Sequence, residues 1–192
     1  MSVKLLLYCT KGLPNIVKTI RGTVYLSCIQ GLNQRLKNYH LNGKIVAECE
    51  CEKVEEIICS KIFNGVGFDV IYDTCELLEN ELFKKSCLDH YHFGDYFGEK
   101  DNEPVGYALH LSNVKVFDEP KELSEYSKRL PNGDFQVLGN APQNMMNVCE
   151  IKYLIEDYIL ISIQPQHLCK ILNGEKTIEV RKKILNSLKE ML

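Results

Sequence analysis

Three ionisable residues near the C-terminal end of the sequence are the strongest indication of a chemical function. The segment GEKTIEVR places Lys176, Glu179 and Arg181 at fixed spacing behind Gly174. Grouped together, the two cations can hold phosphate or carbonyl oxygens, and the carboxylate can accept a hydrogen bond from an amine or a hydroxyl. In an enclosed pocket, burial and the nearby guanidinium would lower the pKa of the Lys176 amine while Glu179 would raise it. A neutral lysine can serve as a base or a nucleophile.

The elements that must position this cluster are a helix and the strand that follows it. Within 161–182, ISIQPQHLCKILNGEKTIEVRK, the pattern predicts a strand, a helix with Pro165 in its first turn, and a second strand after Gly174. The buried stripe of the helix is formed by Leu168, Ile171 and Leu172. The ionisable residues therefore lie where the chain leaves the helix and enters the second strand.

The faces of that second strand decide which side chains meet. On a regular strand Thr177, Glu179 and Arg181 share one face, and Lys176 points to the other. We therefore expect Lys176 to join Glu179 only if the chain is still turning just after Gly174. A simpler interpretation stays open, in which Glu179 forms an ion pair with Arg181 or Lys176, at the surface or at the mouth of the fold, and binds nothing.

The remaining polar residues predict neither a metal site nor a cofactor site. The spacing of Cys87, Asp89, His90 and His92 matches no common zinc pattern. His110 lies inside a predicted strand, a position more typical of a hydrogen-bonded core histidine than of a general base. The sequence contains neither a nucleophile-elbow motif nor a phosphate-binding glycine loop.

Composition limits the classes of function. The 192 residues, 45% hydrophobic and 26% charged, predict one folded domain over 1–192. A net charge of -3 argues against wrapping a long polyanion, so any contact with nucleic acid should be local. Nine cysteines, irregularly spaced, are typical of reduced thiols in a cytoplasmic protein. No apolar run reaches transmembrane length, so we expect no membrane partner.

Strands are predicted along most of the chain. The apolar run at 3–10 is typical of a buried strand, and the alternating residues at 45–52 predict a half-exposed one. Further strand-like composition occurs at 105–117 and 158–163. Together these segments indicate a fold in which strands predominate.

Helices are predicted at fewer places. An amphipathic helix is expected over 73–87, with Asp73 or Thr74 as its N-cap. The polar and aromatic segment 89–104 is expected to be a surface excursion, and 122–129 to form one or two helical turns. The fold class predicted from these patterns is α+β.

The segment 161–182 resembles the signature of the ASCH domain, a relative of the PUA domain with a small β-barrel fold. The G-x-K-x-x-E-x-R motif of that family is filled by Gly174, Lys176, Glu179 and Arg181. Four further segments are similar to other blocks of the family and bring the resemblance to most of the chain: 3–12, 41–57, 106–126 and 140–148. The resemblance implies a PUA-like small β-barrel with flanking helices.

The order of these blocks differs from that of the family, because the block that normally comes first comes last here. A circular permutation explains this order most simply, with 161–182 completing the barrel and 151–157 bridging the original ends. Two alternatives remain, a truncated second copy and a strand donated to a neighbouring subunit. The chain is accordingly expected to be a monomer or a strand-swapped dimer.

The resemblance implies that the chain binds RNA or a modified nucleoside in a polar cleft at the barrel mouth. The implied ligand-binding residues are Gly174, Lys176, Thr177, Glu179, Arg181, Tyr8 and Tyr107. The family often has tryptophans at two positions where this chain has Leu109 and Met145, and the chain contains no tryptophan. Because base stacking needs an aromatic ring, Tyr8, Tyr107 or Phe117 would have to face the pocket.

Catalysis is the alternative that the resemblance implies. Some bacterial ASCH proteins are amidohydrolases that remove the acyl group from N4-acetylcytidine with a lysine, a threonine and a glutamate, and others resemble ribonucleases. Lys176 matches the lysine, and Glu179 stands where the hydrolases have threonine. Glu48 is a candidate for the carboxylate. The catalytic candidates are therefore Lys176, Glu179 and Glu48.

Overall fold

A computed structural model describes seven stretches of the chain: 3–9, 16–20, 23–27, 44–98, 103–152, 157–189 and 191–192. In chain order the elements are β1 (Val3–Cys9), β2 (Ile16–Ile20), β3 (Thr23–Ser27), β4 (Ile45–Phe63), β5 (Phe68–Asp73), α1 (Glu79–Ser86), α2 (His90–Phe97), β6 (Glu103–Lys121), a 3₁₀ turn (Leu123–Glu125), β7 (Tyr126–Arg129), β8 (Phe135–Val137), β9 (Met145–Glu150), β10 (Asp157–Ile163), α3 (Pro165–Leu172), β11 (Ile178–Arg181) and α4 (Asn186–Lys189). The predicted α+β class, with strands predominating, is confirmed.

The chain divides into two compact units. The first unit comprises 51–111 and 175–192, and the second comprises 2–50 and 112–174. The long strands β4 and β6 each contribute residues to both units. No helix of the described part of the chain is long and apolar enough to cross a membrane.

In the first unit the strands lie in the order β11, β6, β4, β5. The edge strand β11 runs antiparallel to β6, with Glu179 opposite Leu109 and Arg181 opposite Tyr107. The permutation stays a prediction. The antiparallel partner of β4 in this unit is β5.

The core of the first unit lies on one face of these strands. Alternate residues of β4 and β11 point to that face, as the period of two along a strand requires. Helices α1 and α2 contribute apolar side chains to the same cluster. Its buried members are Ile57, Cys59, Tyr72, Leu77, Leu82, Phe93, Phe97, Ala108, Ile178 and Val180.

Helix α1 is shorter than the helix expected over 73–87. It begins at Glu79, and its N-cap is Leu78. The side chain of Thr74 instead closes the preceding turn, where its Oγ1 accepts hydrogen bonds from the backbone N–H groups of Glu76 and Leu77, at 3.3 and 2.9 Å. Asp73 or Thr74 was expected to cap the helix, and this expectation was wrong because Asp73 ends β5 and the turn uses the hydroxyl of Thr74.

Helix α2 occupies a segment expected to be a surface excursion, so that prediction was wrong for 90–97. Asp89 caps the helix by accepting a hydrogen bond from the backbone N–H of His92 at 2.9 Å. Phe93 and Phe97, four residues apart, lie on one face of the helix and are buried. The polar residues between them obscured this short apolar stripe in the sequence.

In the second unit the strands lie in the order β6, β4, β1, β10, β9, β7, β8. Strand β1 pairs in parallel with β10, with Leu5 opposite Ile159 and Leu7 opposite Ile161. The strands expected at 3–10, 45–52 and 158–163 are thus present over their described residues. The turns expected at 122–129 reduce to the 3₁₀ turn, which is followed directly by β7.

Candidate functional site

The three ionisable residues of the motif form a single buried network in the first unit. Lys176 Nζ lies 3.4 Å from one carboxylate oxygen of Glu179, and Arg181 Nη2 lies 2.9 Å from the other. The side chains of Lys176, Glu179 and Arg181 are 1%, 9% and 12% exposed. One carboxylate therefore bridges two cations, and the network is buried rather than exposed at the surface.

The backbone explains how Lys176 reaches Glu179. Gly174 adopts a φ of +75°, a conformation that favours glycine, and β11 begins only at Ile178. Lys176 therefore precedes the regular strand and is not bound by its alternation of faces. This is the turning chain that the sequence required for Lys176 to join Glu179.

The segment that carries Lys176 is docked on the C-terminal end of α1. Lys176 Nζ donates a hydrogen bond to the carbonyl oxygen of Ser86 at 2.6 Å. The backbone N–H of Thr177 donates to the carbonyl of Lys85 at 2.9 Å. Because the last carbonyls of a helix lack intrahelical partners and carry partial negative charge, a buried ammonium stabilises that end. Lys176 is therefore a helix cap as well as a member of the ion network.

Burial lowers the pKa of the Lys176 amine below its ordinary value, and the positive charge of Arg181 lowers it further. Glu179 acts in the opposite direction, since its carboxylate favours the ammonium form. Burial and Arg181 thus favour the neutral amine, whereas Glu179 favours the ammonium. Either a positioning role or a reactive role is chemically open to such a group.

Two other predicted ligand-binding residues, Thr177 and Tyr107, lie close to the network along the chain or across the sheet. Thr177 is exposed and connects β6 to α1, since its carbonyl accepts a hydrogen bond from the N–H of Leu111 at 2.8 Å. Tyr107 lies opposite Arg181 on β6 and is half-buried. These two residues belong to the first unit together with the network.

The remaining predicted site residues belong to the second unit. Gly174 ends the turn after α3, and Glu48 pairs with Lys115 at 3.4 Å. The ring of Phe117 lies 4.8 Å from the ammonium of Lys121. Tyr8 lies on β1, and its side chain is outside the described part of the chain.

A second polar cluster in the first unit was missed by the sequence interpretation. The side chain of Glu55 is 1% exposed, and its Oε1 accepts hydrogen bonds from Thr74 Oγ1 at 3.0 Å and Cys75 Sγ at 3.1 Å. The same oxygen accepts from the backbone N–H of Glu76 at 3.2 Å. His110 Nε2 lies 2.5 Å from the other oxygen, Oε2. The carboxylate thus holds the turn between β5 and α1 and the imidazole of His110.

This cluster forms one wall of a cleft of about 560 Å³. Cys75 is exposed, but its hydrogen bond to Glu55 raises the pKa of the thiol and keeps it protonated, which makes it a poor nucleophile. The cleft is lined by Lys53, Val54, Glu55, Glu56, Ile58, Asp73, Thr74, Cys75 and Leu192. The arrangement indicates a structural carboxylate rather than a catalytic group. The sequence signal for this cluster was a charged residue, Glu55, on the same face of the strand as the apolar Ile57 and Cys59.

No metal centre is formed by the residues that the structure describes, where no group of three or more His, Cys, Asp or Glu residues is arranged to hold an ion. The polar residues at the start of α2 contact one another and the neighbouring helix α1 instead. His92 Nδ1 lies 2.7 Å from Asp89, and His90 Nδ1 lies 3.3 Å from Glu79. These contacts explain why histidines and an aspartate cluster there.

Replacing Glu55 with glutamine is expected to lower the free energy of unfolding at neutral pH by about 1–3 kcal/mol, because the amide nitrogen faces donors that the carboxylate satisfied. Burial raises the pKa of Glu55, but hydrogen bonds from Cys75, Thr74 and His110 outweigh it and hold the pKa below its ordinary value. The stability from Glu55 is therefore complete above the unfolded pKa of about 4.3 and is lost as the pH falls through the folded pKa.

Urea denaturation of wild type and Glu55→Gln at pH 7 and at successively lower pH values tests this expectation. The stability difference should shrink as the pH falls below the unfolded pKa of about 4.3. Glu56→Gln, at an exposed neighbour on the same strand, is the matched control and should behave as wild type. A difference that stays constant with pH would contradict the role of the Glu55 carboxylate.

Comparisons with known proteins identify no relative of this chain. No family model matches it, and neither a curated protein nor a solved structure matches it. The likeness of 161–182 to the ASCH signature is therefore a resemblance of motif and spacing. What supports a function is the arrangement of the motif residues themselves.

Proposed function

We propose that the chain is a permuted ASCH-type domain, with a PUA-like barrel, that binds RNA or a modified nucleoside through Lys176, Glu179 and Arg181. The observation that carries the proposal is the buried carboxylate of Glu179 held between two cations. Burying three charged groups is costly, and hydrophobic residues of similar volume often serve stability as well or better. A network of this kind is better explained by a need for fixed, oriented charges.

Each member of the network has a distinct role in this proposal. Arg181 presents a planar guanidinium that suits phosphate or carbonyl oxygens. Glu179 accepts a hydrogen bond from an exocyclic amine or a ribose hydroxyl. Lys176 holds the Glu179 carboxylate in position, since its ammonium is anchored to Ser86 at the end of α1. The ligand therefore meets groups that are already oriented, which lowers the entropic cost of binding.

Binding is favoured over catalysis by the surroundings of Lys176. Its amine is almost fully buried, and it donates a hydrogen bond of 2.6 Å to Ser86 while pairing with Glu179. Attack on an acyl group would require the amine to leave both partners. Glu179 also stands where the related hydrolases have threonine, so their catalytic residues are not all present.

An N4-acylcytidine amidohydrolase, or with less support a ribonuclease, is the second candidate, and the low pKa of Lys176 favours it. Release of cytidine from N4-acetylcytidine by the wild-type chain, abolished in a folded Lys176→Met variant, would establish this activity. No release above the level of the variant would remove it.

The binding proposal is tested by titrating a short single-stranded RNA at several salt concentrations. We expect Arg181→Gln to weaken binding about 5- to 10-fold, because a charge-assisted contact to the ligand is lost. Arg129→Gln removes the same charge from an exposed site in the second unit and should leave the affinity unchanged. No binding by wild type, or equal effects of the two variants, would overturn the proposal.

A further inference from the structure

An exposed aromatic ring lies beside a lysine that directly follows Arg181. Tyr96, on α2, is 40% exposed. The ammonium of Lys182 lies 5.1 Å from the centroid of the Tyr96 ring, and Lys182 is itself exposed. A stacking surface and a positive charge thus meet one residue beyond the ion network of the first unit.

The packing beneath Tyr96 fixes the position of its ring. Tyr96 packs edge-on against Phe97, with 4.7 Å between ring centroids. Phe97 is buried against Gly106, where an added Cβ would lie 2.1 Å from the Phe97 ring and 2.8 Å from the carbonyl oxygen of Arg181. Helix α2 is therefore docked where the backbone of Arg181 passes. The Tyr96 ring is held in place before any ligand arrives.

We propose that Tyr96 and Lys182 form a subsite for single-stranded RNA, in which Tyr96 stacks on a base and Lys182 binds a backbone phosphate. This inference rests on the function proposed above. The subsite also restricts the class of ligand that can bind. A free nucleoside carries no phosphate, so a ligand that contacts both Tyr96 and Lys182 in this way must be a nucleotide or an oligonucleotide.

The contact between Lys182 and Tyr96 does not prevent a base from stacking there. An exposed cation–π contact strengthens an association about 2- to 5-fold. Stacking of a base on an aromatic ring strengthens it about 5- to 150-fold. The base therefore displaces the ammonium, and the long lysine side chain reaches a neighbouring phosphate instead. The chain has no tryptophan, so a tyrosine platform is consistent with its composition.

The charges around the subsite limit its extent. Lys182 and Lys183 follow Arg181 along the chain, and the exposed Asp95 precedes Tyr96. A phosphate close to Asp95 is repelled, so the backbone of the RNA is expected to follow the lysine side. The result is a local contact of one or two phosphates, in keeping with a chain whose net charge is -3.

Tyr91 provides a matched control on the same helix. It is 80% exposed, which is more than Tyr96, and no ring or cation contact involves it within the described part of the chain. Both tyrosines are thus exposed, and exposure alone does not decide which of them would stack on a base. Their difference is the buried Phe97 and the neighbouring Lys182.

The experiment uses a short single-stranded RNA that carries one 2-aminopurine, whose fluorescence falls when the base stacks. We expect Tyr96→Ala to weaken binding about 5- to 150-fold and to abolish the fluorescence change, and Tyr96→Phe to retain both. Tyr91→Ala should behave as wild type. Lys182→Gln should reduce the slope of log affinity against log salt concentration by about 0.7. Thermal denaturation of each variant confirms that it is folded.

The outcomes separate this inference from the proposed function. Binding that depends on Arg181 but falls equally in Tyr96→Ala and Tyr91→Ala overturns the subsite and leaves the proposed function standing. Binding that falls in Tyr96→Ala but not in Arg181→Gln overturns the role of Arg181 and leaves the stacking platform. No binding of RNA by wild type overturns both.

Discussion

Replacing Glu179 with alanine is expected to lower the free energy of unfolding by about 3–5 kcal/mol, because it leaves two charged groups without their common partner in a buried site. Lys176 and Arg181 are 1% and 12% exposed at their side chains, so water cannot fully replace the carboxylate. The midpoint of urea denaturation should fall with little change in slope. Glu175→Ala, at an exposed position of the same segment, should stay within about 0.5 kcal/mol of wild type.

A double variant distinguishes loss of charge pairing from loss of packing. In Lys176→Met with Glu179→Met, two members of the network become apolar, so one buried charge, that of Arg181, is left without its carboxylate instead of two. We therefore expect the double variant to be more stable than Glu179→Ala. If Glu179→Ala is no less stable than Glu175→Ala, the network is not the buried structure described above.

Gly106→Ala is expected to lower the free energy of unfolding by roughly 3 kcal/mol, because overpacking a filled site displaces its neighbours. The added Cβ would lie 2.1 Å from the Phe97 ring and 2.8 Å from the backbone oxygen of Arg181. Neither neighbour is the far end of a flexible exposed chain, so α2 or β11 must shift. Thermal denaturation should show a lower midpoint.

Two comparisons make the Gly106 prediction specific. At Gly67, also in the first unit, nothing lies within 4 Å of an added Cβ, and Gly67→Ala should be nearly neutral. Adding Phe97→Leu to Gly106→Ala provides space for the methyl group, so the two destabilisations should be less than additive. Full additivity would mean that Phe97 and Gly106 do not share the site.

The sequence predicts those parts of the candidate site that depend on neighbours along the chain. The spacing in GEKTIEVR, together with Gly174 after a helix, predicts the strand β11, and the turning chain after Gly174 gives Lys176 a route to Glu179. These features depend on the eight neighbouring residues of that segment. The sequence also predicts the strands β1, β4 and β10 from their apolar runs and alternation, because burial of one or both faces imposes those patterns.

What the sequence does not predict depends on residues that are far apart. Lys176 binds a carbonyl 90 positions earlier, and Glu55 binds donors 19 and 55 positions later. No local pattern encodes such pairs. Helix α2 was missed for a different reason, since two buried phenylalanines among six mostly polar or aromatic residues make a weak periodic signal.

The hydrogen bond from Lys176 to Ser86 has a consequence for the order of folding. The end of α1 is completed by Lys176 and Thr177, which the ribosome adds about 90 residues after the helix. Helix α1 and the strands it covers therefore cannot reach their final stability until synthesis has passed Thr177. Contacts of such long range slow folding, because the loop between them must close first. The apolar face of α1 thus stays vulnerable to aggregation while about 90 further residues are added.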